Sequence, residues 1–392
     1  MFRQLIREQL LMEAEEIRLP FKMNIPEDIR KIQKVFKSNG KELFLVGGSV
    51  RDALLGKPIK DYDLATEAKP DEVIEMLKDQ PFITNIIETG KSFGVINALT
   101  DNDEYEIATF RSESGYEDSR RPSNVEFTDI ATDVSRRDLT VNALFYDLDT
   151  NEVVDLVGGI EDLKKGVIKT VGDPSERFEE DKLRVLRAIR FAARFGSDVD
   201  EKIDQLLSKG IDLSMISGER IRDEFIKGIK TSKSTVNFLS MLDKYGLFNA
   251  IFPNVKINKN FIESNESELV IASLLLPLIT ISDISQIEKR LNTLKYSTQE
   301  IRDITALMLL TQFEPEDVVP MKKKLQLSSL SDKQIKTFAS LMNLETNLID
   351  KLLQFNLSVS GQDVMKKFDI KGPEVGKVIN QIEVEKFKKT LN

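Results

Sequence analysis

No cysteine and no histidine occur among the 392 residues. Without cysteine there is no disulfide framework and no thiolate metal site. Without histidine there is no imidazole base, no His-ligated metal and no His-Asp phosphohydrolase domain. Chemistry must therefore rest on carboxylates, Lys, Arg, Ser, Thr or Tyr. No apolar run reaches transmembrane length and no signal peptide is visible, so a soluble, cytoplasmic protein is expected. Positive charge is in deficit, with a formal net charge of −9. That argues against an indiscriminate nucleic-acid binder but leaves room for local basic faces. Residues 164–194 hold nine Lys or Arg against five acids, and Met321-Lys322-Lys323-Lys324 is a second cluster. The length suits two or more domains with a sizeable core.

The chain is organised around Leu43–Asp63, LFLVGGSVRDALLGKPIKDYD. Leu43 to Val46 reads as a buried strand, Gly47-Gly48 as a sharp turn, and Ser49 to Leu55 as a short helix closed by Gly56. Such a turn aims backbone N–H groups at an anion, with Gly48 and Ser49 at its heart and Arg51 close enough to reach the same anion. Asp61-Tyr62-Asp63 follows. On a strand, residues i and i+2 share a face, so Asp61 and Asp63 should point the same way. Two hard carboxylates beside a phosphate cradle make a site for Mg²⁺ and a nucleoside triphosphate. Either feature alone is more often a plain turn or a solvated strand end; joined as GGSVRD-x8-DYD they are far more specific.

This joint pattern resembles the head of the nucleotidyltransferase superfamily, and within it the class II tRNA nucleotidyltransferases (CCA-adding enzymes) and bacterial poly(A) polymerases. The resemblance spans roughly residues 24–385, strongly in three motifs and weakly beyond them. Strands are expected at Thr84–Ile87, Val95–Leu99 and Glu104–Phe110, with a helix at Pro70–Lys78. Glu106 can bring a third catalytic carboxylate to the metal site, or be an exposed strand acid. Residues 112–124 read as a mobile polar loop and resemble the family's flexible loop. Arg136-Arg137-Asp138-Leu139-Thr140-Val141-Asn142 matches the second motif; by resemblance Arg137 should touch the nucleotide, the alternative being an ion pair with Asp138.

The third constellation is Asp173–Phe195. From Phe178 it reads as one helix, with Asp181, Arg184 and Arg187 on one face and Arg190 drifting round from it. It falls where the family has its nucleotide-selecting motif. Family members often carry Pro where this chain has Lys182, a difference expected to matter little. The resemblance implies nucleotide binding by Gly48, Ser49, Arg51, Arg137, Asp181, Arg184, Arg187 and Arg190, and metal binding by Asp61 and Asp63. The implied partners are a tRNA 3′ end, CTP and ATP; the state is monomer or homodimer.

The expected fold is α+β: an N-terminal polymerase β-like nucleotidyltransferase head with a small mixed sheet, then all-α neck, body and tail. The expected boundaries are an amphipathic extension at 1–23, read as a packed helix or a partner contact, a head at 24–157, a neck at 158–230, a body at 231–355 and a tail at 356–392. Lys371-Gly372-Pro373, ahead of a helix start, reads as a backbone-phosphate contact for tRNA. The expected activity is template-independent addition of C, C and A to tRNA by two-metal nucleotidyl transfer with release of pyrophosphate. Alternatives are poly(A) synthesis, partial CC- or A-addition, and a non-catalytic tRNA-binding protein on the same fold.

Overall fold

A computed structural model of the chain describes residues 16–116, 122–257, 263–278 and 284–391. They form two compact units, 1–215 and 216–392. The division falls inside the segment expected as the neck, so the helix opened by Ser217 belongs to the second unit.

The first unit is built on a mixed sheet of eight short strands: β1 (Ile17–Pro20), β2 (Phe44–Val46), β3 (Asp63–Thr66), β4 (Asn85–Ile87), β5 (Val95–Leu99), β6 (Glu104–Thr109), β9 (Phe145–Asp147) and β10 (Glu152–Asp155). Between them β7 (Arg111–Tyr116) and β8 (Pro122–Phe127) form a separate ribbon. The order is β1-β10-β9-β2-β3-β6-β5-β4, and the β3–β6 pair is parallel while the others are antiparallel. Helices α1 (Glu27–Ser38), α2 (Gly48–Leu54) and α3 (Pro70–Leu77) come early. Ile29, Ile32 and Phe36 of α1 are buried with Leu45, Leu64, Ile107 and Tyr146 of the sheet. Full burial of each such side chain contributes about 1.5–3 kcal/mol. The other face packs Phe44, Phe110 and Phe145 as a ring cluster with centroids 5.9–6.2 Å apart.

Two expectations need correcting here. Ile17–Pro20 is an exposed edge strand paired with β10, not part of a helix; its alternation of apolar and polar residues suits a strand. The remainder of the expected N-terminal helix, residues 1–15, lies outside the described residues. The expected loop at 112–124 is mostly the β7–β8 ribbon, whose scarcity of apolar residues hid its period; its tip at 117–121 is also outside the described residues.

After α4 (Ile130–Ser135) and α5 (Gly159–Lys165), the chain makes the two-residue strand β11 (Val167–Ile168). Helices α6 (Pro174–Glu180) and α7 (Leu183–Phe195) follow, then β12 (Asp198–Val199) and α8 (Glu201–Ser208). The expected single helix is thus two. Asp181 is extended between them, at φ −150° and ψ 102°.

The second unit is helical throughout its described residues. It runs α9 (Gly218–Thr231), α10 (Thr235–Lys244), α11 (Leu247–Ile251), α12 (Ser267–Leu275), α13 (Ile284–Thr293) and α14 (Thr298–Leu310). It continues with α15 (Val318–Leu327), α16 (Asp332–Leu341), α17 (Thr346–Gln354), α18 (Gly361–Phe368) and α19 (Pro373–Leu391). Ser217 and Ser234 cap α9 and α10, each accepting the backbone N–H three residues on, from Arg220 and Asn237. Gly228 lets α9 meet Phe238 of α10, whose ring lies where a Cβ would be. Near the end, Phe387 of α19 is fully buried against Phe313 and Phe355.

Candidate active site

Sheet register does most of the assembly. Phe145 of β9 stands opposite Val46 of β2, and Val46 opposite Asp63 of β3. Leu64 pairs with Ile107, which sets Asp63 level with Glu106 of β6; Glu106 in turn stands opposite Asn97 of β5. Residues opposite one another share a face. One row across five strands therefore carries Phe145, the residue before the glycine turn, and two acids.

Asp61 lies just before β3 rather than on it, so the strand-period argument does not apply to it. Its charge is nevertheless felt. Burial and then Asp61 push the Asp63 pKa up, with Arg137 opposing. Burial and then Asp63 push Glu106 up, with Arg111 opposing. The acids are crowded, yet among the described residues no group of three acids stands close enough to cage a metal by itself.

Gly47 has φ 66° and ψ −116°, a backbone that favours glycine. A Cβ there would lie 3.4 Å from the Asn142 carbonyl and 3.9 Å from Arg137 Nη1; one on Gly48 would lie 3.6 Å from Arg51 Nη2. The two glycines thus leave open ground between two guanidinium groups. The Ser49 hydroxyl is turned inward, donating to the Val46 carbonyl at 3.1 Å, so outward it offers its backbone N–H.

Arg51 is not a reaching arm. It is buried, donates Nε to Asp52 at 2.9 Å and Nη1 to Asn142 Oδ1, and lies over the rings of Phe191 and Phe195 at 5.2 and 5.3 Å. Asp52 also accepts from Arg194 of α7. The positive charge of Arg51 is therefore fixed beside the turn.

Arg137 pairs with Asp133 of α4, not with Asp138: Nε and Nη2 reach Asp133 Oδ2 at 3.1 and 2.9 Å. Its guanidinium lies 4.7 Å over the Phe145 ring, the end of the row that carries Asp63. Asp133 also accepts from Arg136 Nε and from the Arg111 backbone, where the ribbon begins. Asp138 instead holds Arg187 of α7, whose Nε and Nη2 lie 2.7 and 2.6 Å from its Oδ2.

The helix break reshapes the third constellation. The Asp181 carboxylate accepts the Leu183 N–H at 3.0 Å and caps α7. It does not share a helix face with Arg184. The Arg184 guanidinium is buried and donates to Glu180, to the Arg177 carbonyl and to the Arg136 carbonyl. Arg190 is buried with its guanidinium 4.2 Å from the Phe191 ring centre.

Comparison with known proteins places this geometry. The model of the poly A polymerase head domain matches residues 43–169, and that of the probable RNA- and SrmB-binding site of polymerase A matches residues 199–258. The CCA-adding enzyme of Ligilactobacillus salivarius is 32% identical over 391 residues, covering 92% of this chain and 93% of that one. The chain belongs to the CCA-adding enzyme family. The Bacillus stearothermophilus CCA-adding enzyme in complex with CTP matches with TM-score 0.68 at 25% identity, covering 92% of each chain. The Thermotoga maritima CCA-adding enzyme complexed with tRNA shares the fold, with TM-score 0.64 at 21% identity. Family membership fits the turn, the acids and the arginines gathered at one end of the sheet. Nucleotidyltransferases of this kind are typically metal-dependent.

Several residues of this CCA-adding-family site were not singled out by sequence reasoning. Asp52, Asp133 and Asn142 each hold an arginine, and Phe191 and Phe195 face Arg51; Asp138 was named, but as a partner for Arg137 rather than for Arg187. Acids and amides inside the quoted motifs were visible, but which arginine each would hold depends on strand register and helix ends.

Proposed function

We propose that the chain adds C, C and A to the 3′ end of tRNA without a nucleic-acid template, consuming CTP and ATP and releasing pyrophosphate. The observation that carries this reading is the strand row that brings Asp63 and Glu106 level with the glycine turn and Arg137.

The residues fit a divalent ion. Burial and then the Asp61 charge push the Asp63 pKa up, and a cation relieves that cost. Magnesium suits a site of one or two carboxylates completed by substrate phosphates, which agrees with the want of a three-acid cage among the described residues. Asp61 and Asp63 would hold it, with Glu106 beside them. Bound there, it supplies activation of the RNA 3′-hydroxyl and neutralisation of the leaving pyrophosphate. The backbone N–H groups of Gly48 and Ser49 and the fixed charges of Arg51 and Arg137 orient the triphosphate.

Base choice follows from edge chemistry. Cytosine and adenine each show an amino donor beside a ring-nitrogen acceptor; uracil and guanine show a carbonyl and a ring N–H there. Asp181, steadied by its bond to Leu183, accepts from the amino group. Arg184, whose named bonds do not exhaust the donors of a guanidinium, donates to the ring nitrogen. Arg187 and Arg190 line the same helix. We assign the head to residues 24–157, the neck to 158–230, the body to 231–355 and the tail to 356–392. Lys371 and the start of α19 contact the tRNA backbone. Among the described residues no helix is long and apolar enough to cross a membrane, and we place the activity in the cytoplasm.

The test is sequencing of 3′ ends after incubation with tRNA transcripts that lack the terminal C-C-A. CTP alone should give ends in CC, and both nucleotides ends in CCA. Runs of A with ATP alone would instead identify a poly(A) polymerase.

A further inference from the structure

An unbroken hydrogen-bonded chain joins the glycine turn to the neck helix. Arg51 of α2 donates Nη1 to Asn142 Oδ1; Asn142 Nδ2 donates to Asp138 Oδ1 at 3.4 Å; Asp138 Oδ2 accepts from Arg187 of α7. A second route runs alongside it through Phe191, whose ring lies 5.2 Å from the Arg51 guanidinium and 5.8 Å from that of Arg187. We infer that Asn142 is a positioning residue that sets the base-reading helix against the triphosphate turn, and so takes part in nucleotide selection without touching the base. This rests on the proposed roles of Arg51, Asp181 and Arg184.

The chemistry of the link explains the residue. A guanidinium only donates and an ionised carboxylate only accepts. A group bridging Arg51 to Asp138 must therefore accept on one side and donate on the other, and a neutral amide does both. The partners also fix which end of the amide is which. The Asp138 carboxylate is ionised: burial pushes its pKa up, but the Arg187 charge and hydrogen bond and the Leu139 N–H outweigh this and hold it low. Asn142 is half-buried on a short turn, with its neighbours Val141 and Ala143 buried, so its amide cannot drift far. A nucleotide spanning the site would have its phosphates at the Arg51 end and its base at the α7 end. Changing the spacing between the two ends would misalign the base edge.

Three variants separate this role from a merely structural one. Asn142→Ala removes both bonds. It should raise the KM for CTP and lower the CTP/UTP preference in kcat/KM, each by roughly tenfold, the scale of one hydrogen bond to a charged group. Asn142→Asp keeps an acceptor for Arg51 but sets a carboxylate against Asp138. It should return the KM for CTP towards the parent value and leave the preference impaired. Asn142→Ser, too short to span both partners, should reproduce the alanine pattern and serves if the alanine variant does not fold. Parental CTP/UTP preference in the alanine or serine variant, or KM and preference moving together in Asn142→Asp, would overturn the inference. Asp181→Ala run in parallel tells the two levels apart. If it too keeps the parental preference, the base-reading assignment has failed; if it loses preference while Asn142→Ala does not, the bridge has failed.

Discussion

The Asp181 carboxylate accepts the backbone N–H of Leu183 at 3.0 Å, and so the residue assigned to read the base also caps the helix that carries Arg184. Its two duties can be separated. Asp181→Ala should lose about 1 kcal/mol of stability with the cap and about 1–3 kcal/mol of discrimination between CTP and UTP. Asp181→Ser, a good cap without the carboxylate, should recover the stability but not the discrimination. Thermal unfolding and competition between CTP and UTP are the two measurements. A serine variant with full discrimination would reduce Asp181 to a cap.

Asp133 joins the start of the ribbon to the twin arginines. Burial would push its pKa up, but the charges of Arg137 and Arg136 outweigh this and hold it below the usual carboxylate range. A depressed folded-state pKa contributes stability above the unfolded value and loses it as pH falls through the folded one. Asp133→Ala leaves the Arg137 guanidinium without its carboxylate, while Arg136 keeps Glu113, and should cost about 3–5 kcal/mol at neutral pH. The penalty should shrink in acid, below the folded-state pKa. Urea unfolding of parent and variant across that range checks it; a penalty independent of pH would show that Asp133 acts through packing alone.

For Asp63 the sign is opposite. Its folded-state pKa is raised, so stability is lost as pH climbs from the unfolded value through the folded one, and at neutral pH the ionised side chain is a burden on the metal-free protein. Asp63→Asn should therefore raise the melting temperature in EDTA at pH 7, and the gain should fade towards the low pH at which the parent's Asp63 is protonated in both states. Magnesium should stabilise the parent and not the variant. A variant that melts lower than the parent in EDTA would contradict the crowding of the acids.

Much of this was legible in the sequence because it is local. Gly47-Gly48, the strands Val95–Leu99 and Glu104–Thr109, and the cap at Ser217 follow from residues within a few positions of one another. The break at Asp181 was not read, although the resemblance held a sign of it. A Pro at the position of Lys182 forces the residue before it out of the helical region, and Asp181 is extended here even with Lys beside it. Asn142 as partner of Arg51 and Asp138 as partner of Arg187 were out of reach, because they lie 91 and 49 positions away. The ribbon at 111–127 escaped because a polar two-stranded ribbon carries little apolar alternation.

In the second unit, Lys371 precedes Gly372, at φ 69°, and the first turn of α19. If this corner holds a tRNA phosphate, Lys371→Glu should weaken tRNA binding and lower the salt slope by about one. It avoids the truncation that would tear out buried Phe387. Filter binding over a range of KCl checks it; an unchanged slope would remove Lys371 from the interface.

In the proposed reading the row through Val46, Asp63 and Glu106 is the centre of nucleotidyl transfer. The most direct measurement is a single-turnover assay of CTP incorporation by Asp63→Asn and Asp61→Ala, with tRNA affinity measured on the same preparations. Incorporation should fall below detection in both while tRNA binding stays near the parent, because phosphate contacts elsewhere carry that affinity. Incorporation at the parental rate in either variant, with the fold intact, would contradict that reading.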